Sequence, residues 1–380
     1  MATSKAVSIR GCFAELPDPR REHMRLHHLW DIITITILAV IADADSWVEV
    51  AKYGATKLPW LESFLELPSG IPAHDTFGRV FSLINPDALQ ECFLEWVRGI
   101  ADVTLGRFVA IDGKTARRSF DTADGKGALH MVAAWVSENR LLLGQRACDG
   151  KSNEITAIPE LIKTLELSGT IVTMDAMGCQ KHIAATLRDA GADYVLAVKD
   201  NQPTLHNDLR ELFTAGLDND FAGLDHHCHG TQEKNHGRVE KRVYHIMPIP
   251  KAWAQRHGDW KGLRSNGMVF SERQEGDHEP TLETRFYITS LPAKVKLFAR
   301  AVRNHWGIET SLHWVLDVCF REDDSRLRKG HGQENMALMR RLAISLLHNE
   351  TTCKAGIACK RKCAAWNDDY LLKVLQASLR

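Results

Sequence analysis

In the first hundred residues, apolar positions recur at helical spacing, and no strand-like alternation interrupts them. Helices are expected over Leu29 to Ala44, around Trp60 to Leu67, and from Ala88 to Ile100. The longest apolar stretch, Ile32 to Ala42, is bracketed by Asp31, Asp43 and Asp45 and falls short of the ~20 residues that span a bilayer, so it reads as a buried helix. The turn Gly70-Ile-Pro-Ala-His-Asp75-Thr76 precedes a short helix carrying Phe77, Val80 and Phe81 on one face, with Asp75 or Thr76 as its cap. Arg79 on its outer face suits either a DNA-end-recognition module or a plain helical packing domain.

From Arg107 the period changes. Phe108-Val-Ala-Ile111 is an apolar run of strand length leading into Asp112-Gly113. Ala128 to Val136 and Leu141 to Ala147 flank the turn Ser137 to Arg140 as a hairpin. A helix capped by Thr156 and stopped before Gly169 leads to Ile171-Val-Thr-Met174 and Asp175. A second helix, Cys179 to Ala190, leads to the strand Tyr194 to Val198. Parallel strands joined through a helix take the right-handed crossover, giving one mixed sheet with flanking helices. The α/β succession β-β-β-α-β-α-β is that of a ribonuclease-H-like fold. Residues 200 to 292 read as a β-rich insertion, with strands at Val239 to Met247, Gly267 to Ser271 and Thr284 to Thr289. A helical period resumes over Ala293 to Phe320, Met336 to Leu347 and Tyr370 to Leu379. The expected domains are 1–104, all helical; 105–199 with 293–325, the sheet domain; 200–292, the insertion; and 326–380, C-terminal helices.

Asp112 and Asp175 follow apolar strands, and the carboxyl ends of strands are where α/β sheets gather ligand groups. A lone Asp there is more often a cap or a turn residue. The third acid is Glu309, which the helical period places on one stripe with Val302, Leu312 and Leu316, facing the sheet. A carboxylate buried without a partner is costly. Either His305 or His313 pairs with it, or a shared metal site does. Three carboxylates are hard oxygen ligands that suit Mg²⁺ or Mn²⁺ and not zinc. Two such ions support in-line displacement at a phosphodiester.

Composition narrows the field without deciding it. The 380 residues, 44% hydrophobic and 25% charged, describe a folded globular chain of two or three domains. Nine irregularly spaced cysteines and no leader-like N-terminus favour reduced thiols and a cytoplasmic protein that does not enter membranes. With 48 basic and 48 acidic residues, any nucleic-acid binding must be local. From Leu291 onward, 16 Lys and Arg stand against 9 Asp and Glu, and Arg326-Leu-Arg-Lys329 and Lys360-Arg-Lys362 are basic runs suited to a DNA backbone or simply to water.

The segments Ile111-Asp112-Gly113-Lys114-Thr115, Thr173-Met-Asp175-Ala-Met-Gly-Cys-Gln180 and Asn304-His-Trp-Gly-Ile-Glu309-Thr-Ser-Leu-His313-Trp-Val-Leu-Asp317 resemble the H-repeat-associated insertion-sequence transposases. The resemblance extends to Gly70 through Thr76, Lys151 through Glu160, and His236-Gly-Arg238. It implies a DDE triad at Asp112, Asp175 and Glu309 that holds Mg²⁺ or Mn²⁺, two ions in all. It also implies cutting at element ends, joining to target DNA, and a homodimer or larger synaptic complex. Related transposases carry a Tyr, an Arg and a Lys around the catalytic Glu, where this chain has Val302, His305 and Leu316. Arg303 and His313 are the nearest candidates for the missing phosphate contacts, and His305 is expected at the DNA with them. A nuclease that does not join strands, and a DNA-binding relic without chemistry, remain the alternatives.

Lys114 and Arg117 after the first Asp, and Lys199, Asn201 and Gln202 after the last strand, are expected on the rim as phosphate contacts. Gly113-Lys114-Thr115 is not a nucleotide loop, because Phe108 stands where that motif needs Gly. His226-His227-Cys228-His229 lacks ligand spacing and reads as a surface loop. Trp306 and Trp314 are expected in the core.

Overall fold

In the computed structural model, residues 9–100, 107–120, 125, 127–148, 153–235, 237–276 and 278–376 are described. Lys151, Ser152 and His236 of the motifs above lie outside them. The helical N-terminal region comprises α1 (Ile9–Ala14), α2 (Leu29–Ile41), α3 (Trp47–Thr56), α4 (Leu58–Leu61), α5 (His74–Leu83) and α6 (Pro86–Ile100). Then follow β1 (Phe108–Thr115), β2 (His130–Val136), β3 (Leu141–Cys148), α7 (Glu154–Lys163), β4 (Ile171–Met174), α8 (Lys181–Asp189) and β5 (Asp193–Val198). The next stretch holds α9 (Pro203–Asp218), β6 (His227–Asn235), β7 (Arg238–Pro248), α10 (Lys251–Arg256), β8 (Ser265–Glu275) and β9 (Thr281–Thr289). The chain closes with α11 (Val295–Ile308), a π-helical turn Glu309–His313, α12 (Trp314–Cys319), α13 (Gly332–Asn349), α14 (Ile357–Trp366) and α15 (Asp368–Gln376).

This is the expected α/β architecture: a mixed sheet with strand order β3-β2-β1-β4-β5-β9-β8-β7-β6, flanking helices and a helical N-terminal region. The chain divides into two compact units, and β1 contributes to both.

The first unit holds residues 1–103, 113–153 and 309–380. Its α2 is buried from Asp31 to Ile41, as its apolar run predicts, and it packs against α13. On α5, Phe77, Val80 and Phe81 are buried and Arg79 is exposed, but the helix starts at His74 and has no side-chain cap from Asp75 or Thr76. The helix expected over Trp60 to Leu67 stops at Leu61. The β2–β3 hairpin pairs Val136 with Leu141 around the predicted turn.

α13 is buried along almost its whole length, Arg340 and Arg341 included. Arg341 Nη1 lies 2.9 Å from Glu322 Oε1, both side chains being almost wholly buried. Near the start of α13, burial pushes the Glu334 carboxyl from 4.5 up to about 7; Asp87 adds to the rise and Arg146 opposes it. A folded-state value above the ordinary one means that ionisation opposes folding. The cost is absent below pH 4.5, grows towards pH 7 and is complete above it. Glu334→Gln should therefore raise unfolding stability in urea by about 2 kcal/mol at pH 8 and leave it unchanged at pH 4. Equal effects at both pH values would contradict this account.

The second unit holds residues 104–112 and 154–308. β1, β4 and β5 are parallel, and their near-continuous apolar runs are those of strands covered on both faces. β9 then pairs antiparallel with β5, and β8, β7 and β6 extend the sheet by antiparallel pairing. The insertion thus carries four strands, and also the 16-residue α9, which the sequence reading missed. α7 begins at Glu154, so Thr156 lies inside it and not at its cap.

α11 lies on this sheet. Phe298 is fully buried, with Tyr287 and Tyr244 edge-on at 5.5 and 6.3 Å. A Cβ at Gly267 would sit 2.4 Å from the Phe298 ring, so β8 needs glycine where the helix comes closest.

Candidate active site

The strand register brings the two aspartates together. β1 and β4 run parallel with Ile111 opposite Met174, so Asp112 and Asp175, each one residue further on, follow paired positions of adjacent strands in the second unit. β4 stops at Met174, as expected, whereas β1 continues through Asp112 to Thr115. Both side chains are half-buried. Asp175 Oδ1 accepts the backbone N–H groups of Met177 at 2.9 Å and Gly178 at 3.4 Å. That turn fixes the carboxylate and leaves Oδ2 for a ligand. Cys179, fully buried next to it, has its thiol pushed up by burial first and by the Asp175 charge second, so it stays protonated.

The turn after β4 is held from the next loop. Asn201 Nδ2 donates to Ala176 O at 2.6 Å, and Gln202 Nε2 donates to Cys179 O at 3.0 Å. These two amides were expected to touch DNA; in the structure they brace the Asp175 turn. Lys199 beside them is exposed.

The last turn of α11 is tied to the same strand. His305 Nδ1 and Thr173 Oγ1 are 3.1 Å apart, and Thr173 lies two residues before Asp175. Glu309 follows four residues after His305 in the chain. Arg303, on the outer face of α11, forms a two-pronged pair with Glu233 at 3.1 and 2.8 Å. Trp306 is 39% exposed, with the Arg285 guanidinium 4.5 Å from its ring centroid. The core placement expected for Trp306 is therefore overturned.

In the first unit, Glu309 opens the π-helical turn, and its side chain is 55% exposed, with His313 Nδ1 at 3.6 Å. The burial expected from the helical stripe does not hold. A π turn inserts one extra residue, so Leu312 and Leu316 stay buried while Glu309 swings out of the line set by Val302. A costly buried charge is thus no argument for a metal at Glu309. Trp314, also expected in the core, is 59% exposed.

Lys114 is buried, its Nζ 2.6 Å from Asp317 and 3.3 Å from Asp323. Arg117 is 82% exposed and pairs with Asp323 at 3.3 Å. Within the insertion, His227, Cys228 and His229 open β6 and are not a loop; His226 stacks on Phe221 and hydrogen-bonds His245 at 2.9 Å.

Within the second unit the donor chemistry fits a hard divalent cation: two aspartates that follow paired positions of adjacent strands, with one oxygen of Asp175 already oriented by backbone amides. Among the described residues, no helix is long and apolar enough to cross a membrane.

Residues 104–346 match the family described as Transposase DDE domain, and residues 10–97 match the one described as DDE_Tnp_1-associated. The chain is 42% identical to "Putative transposase YncI" of Escherichia coli O157:H7, over 95% of this chain and 92% of that protein. It is 39% identical to "H repeat-associated putative transposase YhhI" of Escherichia coli K12, over 96% of both chains. It is 44% identical to "Uncharacterized protein in dhlA 3'region" of Xanthobacter autotrophicus, over 73% of this chain and 92% of that one. With its ribonuclease-H-like sheet, its paired strand-borne aspartates and these relatives, the chain belongs to the DDE transposase family of insertion sequences.

Proposed function

We propose that this protein cleaves DNA at the ends of an insertion sequence and joins the freed 3′-hydroxyl to target DNA, with Asp112, Asp175 and Glu309 as its acidic triad. The observation that carries the reading is the β1–β4 register, which sets Asp112 beside Asp175 while the end of α11 is tied to β4 at Thr173, one helical turn before Glu309. Asp112, Glu309 and His313 carry ligand atoms of the kind that could hold a metal ion. Bound Mg²⁺ or Mn²⁺, two ions in this reading, would supply Lewis-acid activation of the attacking oxygen and charge neutralisation at the phosphate.

The chain's own groups orient the reacting strand. The Asn201 and Gln202 amides keep the Asp175 turn in place, and His305 holds the end of α11 against β4. Lys199 and Arg117 are exposed cations suited to DNA phosphates, as is Arg303 on release from Glu233, whereas His313, expected as such a contact, is buried. Lys114, buried among Asp317 and Asp323, fixes the second half of β1. The working form is a homodimer or larger assembly on two element ends, acting in the cytoplasm.

The test incubates the protein with a pre-cleaved element end, a supercoiled plasmid and Mg²⁺. A covalent end-to-plasmid product that vanishes in EDTA is the expected result. Cleavage without joining would replace this reading with a nuclease, and no product with any divalent ion would replace it with a DNA-binding relic.

A further inference from the structure

A groove of about 620 Å³ in the first unit brings together two sequence features that lie 250 residues apart, Arg79 on α5 and the run Arg326-Leu-Arg-Lys329 ahead of α13. We infer that this groove is a second DNA contact, one that grips the phosphodiester backbone by charge and does not read bases. The inference rests on the transposase reading for the identity of the polyanion, and on the groove itself for the rest.

Charge is the first argument. Arg79, Arg326, Arg328 and Lys329 all line the groove, and none of the four forms an ion pair among the described residues. Other cations of this chain are neutralised in place, Lys114 by Asp317 and Arg303 by Glu233 among them. Four unneutralised cations at one groove are held together against their own repulsion, which an incoming polyanion relieves. One acid, Asp75, also lines the groove, so its Arg and Lys side chains outnumber its carboxylates four to one.

The cations are also held in place. Arg328 stacks its guanidinium 5.5 Å from the Phe120 ring centroid, while its Nε is buried without a hydrogen-bond partner. The loop that carries it is pinned to the end of α5: the His331 N–H donates to Ser82 O at 3.1 Å, and Asn335 Nδ2 donates to Phe81 O at 2.7 Å and Ile84 O at 2.9 Å. Gly330 makes this approach possible, with φ at +53° and a virtual Cβ only 2.4 Å from Ser82 O. A side chain there would push the basic loop off the helix. The start of α5 adds backbone N–H groups without a side-chain cap, which favours negative charge nearby.

The groove's chemistry selects backbone over base. Trp47, its aromatic member, is half-buried and committed to Phe81, with ring centroids 4.9 Å apart, so it is not free to stack on a base. The lining holds no Asn or Gln to pair with an adenine edge, and its four cations serve phosphate oxygens, which positions a duplex but does not specify its sequence.

The test measures binding of a labelled duplex of arbitrary sequence to the full chain, in EDTA, across a salt series. Two variants are compared with the parent: the triple change Arg326→Ala, Arg328→Ala, Lys329→Ala, and Arg79→Ala. Since each lost phosphate contact removes roughly 0.9 from the slope of log affinity against log salt, the triple variant should lose about 2 to 3 and bind at least ~10-fold more weakly. Arg79→Ala should lose about 1, and Arg79→Lys should restore it. All should keep the parent's melting temperature, the substituted side chains being partly or fully exposed. Slopes equal to the parent's in both variants, or no DNA binding by the parent, would overturn the inference. Because no cutting is read, a parent that binds through the groove and never joins ends would sink the transposase reading alone. A parent that joins ends while its slope ignores all four cations would sink the groove alone.

Discussion

Asp112→Asn, Asp175→Asn and Glu309→Gln are each expected to lower strand joining by about a thousandfold or more while leaving DNA binding in EDTA within a few-fold of the parent. The changes keep side-chain volume and remove only the negative oxygen, so any loss reports on ligand charge and not on packing. A thousandfold corresponds to roughly 4 kcal/mol of transition-state stabilisation, in the range expected for an electrostatic partner at a reacting phosphate. Asp175 is the sharpest case. Its Oδ1 is engaged by the amides of Met177 and Gly178, and an Asn whose Oδ1 keeps those two hydrogen bonds presents an amide N–H₂ in place of Oδ2. Joining by Asp175→Asn at the parental rate would remove Asp175 from the chemistry. Parental joining by Glu309→Gln would leave the two aspartates without their third partner and end the triad proposal.

The second large effect concerns stability. Arg341→Leu should cost about 3 kcal/mol of unfolding free energy, because it strips a buried guanidinium from Glu322, whose carboxylate is itself almost wholly buried. Burial alone would push the Glu322 carboxyl up, yet Arg341 first, then Arg340 and Lys114, hold it below its ordinary range. A depressed folded-state value contributes stability that is present above the unfolded carboxylate range and is lost as pH falls through the folded value. The penalty of Arg341→Leu should accordingly be full at pH 7 and shrink in acid. The double change Arg341→Leu, Glu322→Gln should recover most of it, since a neutral amide no longer needs a counter-charge. Urea titrations at two pH values measure both. A double variant as unstable as the single one would show that Arg341 acts through packing.

The sequence reveals the aspartates more readily than the glutamate, for a physical reason. Phe108 to Ile111 and Ile171 to Met174 are short apolar runs buried on both faces, so the point where each run meets an acid is visible without any tertiary information. Glu309 sits in a helix, where orientation is inferred by counting at a fixed period, and the π turn breaks the count at that very residue. Trp306 and Trp314 lie on either side of this turn, and the expectation that aromatics beside a buried helical stripe belong to the core fails for both. α9 carries Leu205, Leu209 and Phe213 at four-residue helical spacing behind Pro203, a legible signal that the expectation of a β-rich insertion overrode. The bracing amides of Asn201 and Gln202 act on a loop more than twenty residues away, a relation that no local pattern encodes.

The packing of α2 against α13 also governs the order in which the chain becomes able to fold. α2 ends at Ile41 and α13 begins at Gly332, so a nascent polypeptide displays the run Ile32 to Ile41 without its natural cover while nearly three hundred further residues are made. At about 5 to 20 residues per second this wait lasts roughly 15 to 60 s. Ribosome-bound chains therefore carry an exposed apolar helix for most of their synthesis, and a gene fragment that stops short of α13 encodes a sticky polypeptide and not a smaller working protein.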